Sequence, residues 1–210
     1  MKIINAETIG TLLQRTCYRI LSSNLKPSPR GEATKEIFPA FLCLMEPRSR
    51  IFVDSIRKLD IFELIGRFAW EFSGSEDLSF IQYYSKQAFR FANPEGAIPS
   101  AYGKRLFTGP NGIAAVIQIL KNDPDSRRAF ALILNTNDSM STDLEYPCIA
   151  GLHFLVRDSK LYLTTYARSE SCFRILPFDI FLFTMIQEYV SVALGIPMGS
   201  YSHFCGSAHY

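Results

Sequence analysis

Apolar residues recur at Ile9, Leu12, Leu13, Cys17 and Ile20, the three-and-four spacing that predicts an amphipathic helix over 6 to about 21. Such a helix covers one face of a sheet. Pro27 and Pro29 then predict an extended connection over 24–30, because each lacks a backbone donor and pushes its predecessor out of the helical region. Residues 37–44 form a continuous apolar run closed by Glu46-Pro47, which reads as one buried strand. Over 61–72 the period is helical again, with Phe62, Ile65, Phe68, Ala69 and Phe72 on one side and Glu63, Arg67 and Glu71 spaced by fours on another. Ser73-Gly74-Ser75 ends it.

A second helix is expected over 77–89, and the Pro- and Gly-rich stretch 93–104 reads as an irregular loop. Asn111 resembles the N-cap of a helix running to about Lys121. The second half is strand-rich, with strands over 129–134, 149–156 and 160–167, the last two joined as a hairpin at Arg157-Asp158-Ser159. A helix that is apolar nearly all round follows Pro177 and stops at Gly195, so it should be central. The elements predict one α+β domain over 1–210, with helices packed on one face of a mixed sheet.

Composition narrows the partners. With 48% hydrophobic and 13% aromatic residues, and 22 basic against 20 acidic side chains, the chain reads as a packed globular protein with no general affinity for polyanions, so no nucleic acid is expected. Any anion site must be local. The five cysteines (Cys17, Cys43, Cys148, Cys172, Cys205) are scattered without CxxC spacing, which argues against a disulfide framework or a zinc site. His153, His203 and His209 show no metal-ligand spacing, and no metal is expected. The N-terminus meets a charge too early for an export signal, and the apolar window 176–198 is broken by Asp179, Gln187, Glu188, Gly195 and Pro197, so a buried helix is expected in place of a membrane span. A reducing, cytoplasmic setting is the simplest expectation.

Three features carry candidate chemistry. Cys148 stands at the mouth of an apolar strand; it is either a small buried hydrophobe or, with arginines nearby to favour the thiolate, a nucleophile. Arg127-Arg128 open one strand and Arg168-Ser169 end another; they are solvated strand ends or a clamp whose guanidinium forks match phosphate oxygens. Asp179, between Phe178 and Ile180, either caps the long helix or pairs with the edge of a base.

Taken together these residues resemble a known family. Pro147-Cys148, Arg168-Ser169, Leu176-Pro177-Phe178-Asp179-Ile180, Asp125-Ser126-Arg127-Arg128 and Gly206-Ser207-Ala208-His209 occur in the order and spacing of the thymidylate synthases and the related pyrimidine nucleotide hydroxymethylases. Pro29-Arg30-Gly31 looks like the family's phosphate-arginine loop, and Ala101-Tyr102-Gly103-Lys104 like its Tyr-Gly motif. The resemblance implies a homodimer joined through the sheet, in which Arg127 and Arg128 serve the partner's site while Arg30, Arg168 and Ser169 complete the phosphate site. It further implies that Cys148 attacks C6 of a nucleoside monophosphate, that C5 takes a one-carbon unit from 5,10-methylenetetrahydrofolate, that Tyr102 belongs to the catalytic group, and that His209 contacts the ribose.

Asp179 is an informative departure, because the synthases carry Asn there. Cytosine offers an acceptor at N3 and a donor at its amino group, the reverse of uracil, and a protonated carboxyl can donate to the first and accept from the second. On this reading Asp179 favours CMP or dCMP and a 5-hydroxymethyl product. Other departures concern catalysis. The family's helix Glu falls on Arg67, leaving Glu63 and Glu71, one turn away on either side, as candidates to take over its proton-transfer role. Ser171 stands where a pterin-contacting Asp is usual, and Ile175 where a Gly is usual; the family's ribose Tyr and C-terminal tail are not in this sequence. The readings are therefore a cytosine-nucleotide hydroxymethyltransferase, a methylating synthase acting on a uracil nucleotide, and a nucleotide-binding homologue that has lost catalysis.

Overall fold

A computed structural model describes residues 2–52, 59–138 and 146–210. A mixed seven-stranded sheet organises them, built from β1 (Lys2–Ala6), β2 (Glu36–Ile37), β3 (Ala40–Leu44), β4 (Phe130–Leu132), β5 (Ile149–Arg157), β6 (Lys160–Ser171) and β7 (Met198–His209). The order across the sheet is β1-β3-β7-β6-β5-β4, with β2 paired to the end of β7. The pairs β1/β3 and β6/β7 are parallel; β3/β7, β5/β6 and β4/β5 are antiparallel.

The helices are α1 (Ile9–Leu21), α2 (Ile61–Phe72), α3 (Leu78–Tyr84), α4 (Tyr102–Phe107), α5 (Ile113–Asn122) and α6 (Leu176–Leu194). Local chemistry sets their ends. Thr8 caps α1 by accepting from the Thr11 N–H, Asp60 caps α2 by accepting from the Phe62 N–H at 2.8 Å, and Gly195 closes α6 in the left-handed region at φ 70°. α6 is the one described helix long and apolar enough to cross a membrane, and here it lies mostly buried in the protein, against β6, β7, α2 and α5. Gln187 ties it down, donating to the carbonyls of Leu161 (2.9 Å) and Gly199 (3.2 Å).

Several expectations are corrected. The run 37–44 is two strands, because Pro39 has no N–H to continue a ladder. The helix over 77–89 stops at Tyr84 and resumes as a 3-10 turn at Ala88–Phe91, while α4 begins inside the stretch read as a loop. Gly112, and not Asn111, precedes α5; a side chain at 112 would strike the Leu106 carbonyl. β7, the central strand, carries the alternation Tyr201, His203, Cys205 and was not anticipated.

The inward faces of the strands and helices α1, α5 and α6 enclose the main core. A smaller satellite core of Trp70, Ile81, Ala88, Ile98 and Ala101 lies beside it. β6 has a change of phase that matters below. Its buried residues are Leu161, Leu163, Thr165 and Ala167, and then Glu170, so the inward parity shifts across Arg168-Ser169.

Candidate active site

Cys148 is held from β6. The Arg168 N–H donates to the Cys148 carbonyl at 2.8 Å, and its guanidinium donates to the carbonyls of Pro147 and Tyr146, each at 3.2 Å. The same guanidinium lies 4.2 Å from the centre of the Tyr146 ring. Arg168 thus clamps the segment that carries the thiol while its head stays exposed. All five cysteines are thiols, two of them (Cys172 and Cys205) buried.

An apolar pocket opens beside Cys148, and Arg67, Glu71, Tyr102, Tyr146 and Asp179 also line it. Asp179 sits in the first turn of α6 but makes no cap bond; it is 5% exposed and turned inward. Burial, and then the neighbouring Glu170 carboxyl, push its pKa well above the usual carboxylate value, which favours the protonated form. Glu71 accepts from the Gly103 N–H, an approach that a side chain at Gly103 would block by colliding with the Glu71 carbonyl. Burial raises Glu71 to about 8, although the Gly103 N–H pulls the other way. The Tyr102 phenol is raised by burial and then by the nearby Asp179 and Cys148, and its ring stacks on Phe183 at 5.8 Å.

Arg67 occupies the pocket wall with a paired charge. It meets Glu63 at 2.9 Å and Ser85 Oγ at 2.9 Å, and it covers the Phe178 ring at 4.6 Å. Glu63 does not line the pocket. Of the two carboxylates expected beside Arg67, Glu71 alone reaches the cavity.

A second, polar pocket adjoins the first, with Tyr146 in the wall of both. Arg30, Arg168, Ser169, Ser207 and His209 line it, along with Glu36, whose carboxylate accepts from Ser207 Oγ at 2.6 Å. Arg30 stands in a 3-10 turn (Pro29–Gly31) with a left-handed φ of 54°. Burial lowers the pKa of His209. Arg127 and Arg128 line neither pocket; they lie exposed just before β4, where the Arg127 carbonyl is 3.1 Å from His153 Nε2. Among the described residues no three His, Cys, Asp or Glu side chains group as a metal site.

Behind Asp179 lies a set of polar residues that the sequence did not reveal. Glu170 and His203 are buried and 3.2 Å apart, and Tyr201 continues the set inward. Glu170 escapes simple alternation, which places Ser169 and Ser171 inside and Glu170 outside; the phase shift of β6 reverses this. The readable signal was the carboxylate itself, next to the Arg-Ser pair.

The chain is similar to two phage proteins, each described as a deoxyuridylate hydroxymethyltransferase. It is 28% identical to that of Bacillus phage SP01, over 90% of this chain and 55% of the relative, and 27% identical to that of Delftia phage PhiW-14, over 80% and 50%. It spans about half the length of these curated relatives. Its fold is shared with the thermostable thymidylate synthase A from Bacillus subtilis, with a TM-score of 0.75 at 18% identity, covering 96% of this chain and 79% of that one. The thymidylate synthase family model matches residues 13–210, nearly the whole of the chain, which therefore belongs to the thymidylate synthase family.

Proposed function

We propose that the two pockets receive one pyrimidine nucleoside monophosphate, and that the chain transfers a one-carbon unit to C5 of a uracil nucleotide, with a 5-hydroxymethyl product. The observation that carries this reading is the shared wall: Arg168 anchors the Cys148 segment and also faces the polar pocket. The apolar pocket offers about 180 Å³ and the polar one about 690 Å³. The first is below the roughly 300–1,000 Å³ of small-molecule sites. A nucleotide would therefore use both, its ring beside Cys148 and its phosphate among Arg30, Arg168 and Ser169, with His209 at the ribose.

A protonated Asp179 admits either base. A neutral carboxylic acid carries one O–H and one C=O, the same donor and acceptor as an amide, so it can answer O4 and N3–H of uracil. The names of the two phage relatives favour that base. Asp179 in place of the synthases' Asn favours cytosine as the second reading, with CMP or dCMP as substrate.

Cys148 Sγ forms a bond to C6, the C5=C6 electron pair moves toward C5 and O4, and C5 becomes the nucleophile. After C5 gains its carbon, the C5 proton leaves, the bond from that carbon to its carrier breaks, and water adds to the carbon to give the hydroxymethyl group as the Sγ–C6 bond breaks. Glu71 and Tyr102 are the pocket's proton-handling groups, and Arg67, though paired with Glu63, extends its field to Glu71 and Asp179. Trp70, Phe178 and Leu182 give the pocket an apolar wall that the ring system of 5,10-methylenetetrahydrofolate would face at its mouth, with Ile175 standing where the family resemblance implies a Gly. When bound, that cofactor supplies the one-carbon unit. Ser171 offers a hydroxyl where the family resemblance implies a carboxylate.

A homodimer accompanies this reading. The outward face of the sheet carries a band of aromatic rings, Phe130, Tyr166 and Phe204, at centroid spacings of 5.8 and 6.2 Å, with Leu132 51% exposed beside it. A second copy laid on that face would bury the band and carry Arg127 and Arg128 to the partner's phosphate. The decisive test is tritium release from C5-labelled dUMP, UMP, dCMP and CMP in the presence of methylenetetrahydrofolate, with products identified by mass. Release from uracil nucleotides supports the first reading and release confined to cytosine nucleotides the second. Tight binding with no release from any of them would identify a homologue without catalysis.

A further inference from the structure

Glu170 has the least conventional surroundings in the interior. Its side chain is 1% exposed, and no backbone N–H, Lys or Arg answers either carboxyl oxygen. Two groups face those oxygens: His203 Nε2, 3.2 Å from Oε2, and the carboxyl of Asp179. Asp179 Oδ2 is likewise buried, and the Glu170 carboxyl is the hydrogen-bonding neighbour of Asp179. Behind His203 the chain of polar groups continues, with Nδ1 2.8 Å from the Tyr201 hydroxyl and that hydroxyl 3.0 Å from Thr165 Oγ1. An ionised pair of carboxylates here would leave buried acceptors unanswered and adjacent like charges unscreened.

We propose that Glu170 is a positioning and specificity-determining residue: linked to His203, Tyr201 and Thr165, it fixes which way the proton of Asp179 points, and so whether Asp179 offers the pyrimidine edge a donor or an acceptor. The inference rests on the nucleotide reading above. Two arrangements hold the same protons and no net charge. In one, Asp179 donates to Glu170, Glu170 to His203 Nε2, His203 Nδ1–H to Tyr201, and Tyr201 to Thr165. Asp179 then shows the base only a carbonyl acceptor. In the other every bond is reversed, Thr165 to Tyr201, Tyr201 to Nδ1, Nε2–H to Glu170, and Glu170 to Asp179. The Asp179 O–H is then turned to the ring. An amide at 179 has its donor and acceptor fixed by covalent structure; this acid has them set from behind.

The ionisable groups around the pair agree with a neutral chain. From β7 come His203, Tyr201 and Cys205, from α2 Glu71 and Arg67, and from α4 Tyr102; Arg67 is the cation among them and is turned to Glu63. Burial raises Glu170 to about 8 and lowers His203 to about 4. Above the first of these values Glu170 becomes a carboxylate that accepts from Asp179 and His203 together, which holds Asp179 as an acceptor toward the base.

The test uses the wild-type chain, Glu170→Leu and Glu170→Gln. Glu170→Gln keeps a polar group toward His203 and Asp179 where Glu170→Leu removes it, so the two variants separate a loss of fold from a loss of selectivity. Calorimetry gives Kd for dUMP, UMP, dCMP and CMP at about pH 6 and about pH 9, while carbon-13 labelling of Asp and Glu follows the carboxyls without ligand. The wild-type uracil-to-cytosine affinity ratio should move by about tenfold or more between the two conditions, the scale of one buried hydrogen bond. In both variants it should be flat with pH. A ratio that is flat in the wild type, or that moves equally in Glu170→Leu, overturns the inference, as does a Glu170 carbon titrating in the ordinary carboxylate range. Should none of the four nucleotides bind the wild type, the nucleotide reading falls and the selectivity claim with it, while the carbon titration still decides whether the buried chain is neutral.

Discussion

The guanidinium of Arg67 lies 4.6 Å from the ring centre of Phe178, the residue directly before Asp179, while its nitrogens hold Glu63 and Ser85. A cation therefore braces the start of α6 from α2. Its field also lowers the pKa of Glu71, opposing the larger effect of burial. Arg67→Ala should cost about 1 kcal/mol, the sum of a half-exposed helix ion pair and a cation–π contact. It should also move the alkaline limb of a Glu71-dependent rate profile to higher pH, which a pH series of tritium release would record.

Arg168 serves two pockets, so its removal should show twice. Arg168→Ala loses the proposed phosphate contact, and with it two hydrogen bonds and a cation–π contact to Tyr146 and Pro147; nucleotide affinity should fall about ten- to hundredfold, and the maximal rate should fall with it. Ser169→Ala should weaken binding by about tenfold or less and leave the maximal rate nearly unchanged. Steady-state kinetics of both variants check the contrast. Equal loss in KM alone for the two would show that Arg168 does not position Cys148.

Arg30, a phosphate ligand in the proposed reading, stands on a strained backbone. At φ 54° an L residue is disfavoured by about 1 kcal/mol relative to glycine. Arg30→Gly should accordingly leave the unfolding midpoint unchanged or slightly raised while nucleotide affinity drops. Urea titration and calorimetry on the same sample would test the opposite signs.

Stability should fall on the alkaline side. Glu71 and Glu170 hold their protons to about 8 when folded, against 4.5 for the ordinary group, so between those values the folded chain binds more protons than the unfolded one. Each group then withdraws up to about 1.4 kcal/mol per pH unit as pH rises through that window. His203, lowered to about 4 from 6.5, works oppositely, with stability lost as pH falls from 6.5 toward 4. The urea midpoint should be lower at about pH 8.5 than at about pH 6, and Glu71→Gln or Glu170→Gln should flatten the decline.

Much of this was legible in the sequence, for identifiable reasons. α2 and α6 have strong periodicity or length and clear stops, and the hairpin turn was marked by Arg157-Asp158-Ser159, two of whose residues adopt left-handed φ. The family motifs named Cys148, Tyr102 and Asp179, which line one cavity, and Arg30, Arg168, Ser169 and His209, which line another; Glu71 entered only as one of two neighbours of Arg67. β7 was hidden because small polar residues alternate with its buried ones and dilute the apolar signal. Glu170 was hidden because a one-residue change of phase in a strand is a property of sheet twist and pairing, which local pattern does not encode.

The satellite core has an optical consequence. Its largest member, Trp70, is the single tryptophan of the chain, 5% exposed, with its indole N–H donating to the Asp77 carbonyl at 3.0 Å. That indole also lines the pocket beside Cys148. Tryptophan emission, excited selectively over the tyrosines, therefore comes from one buried site in the cavity wall, and a ring entering the cavity changes the surroundings of that fluorophore. The molecule carries its own probe of occupancy, with no label to attach and no second tryptophan to subtract.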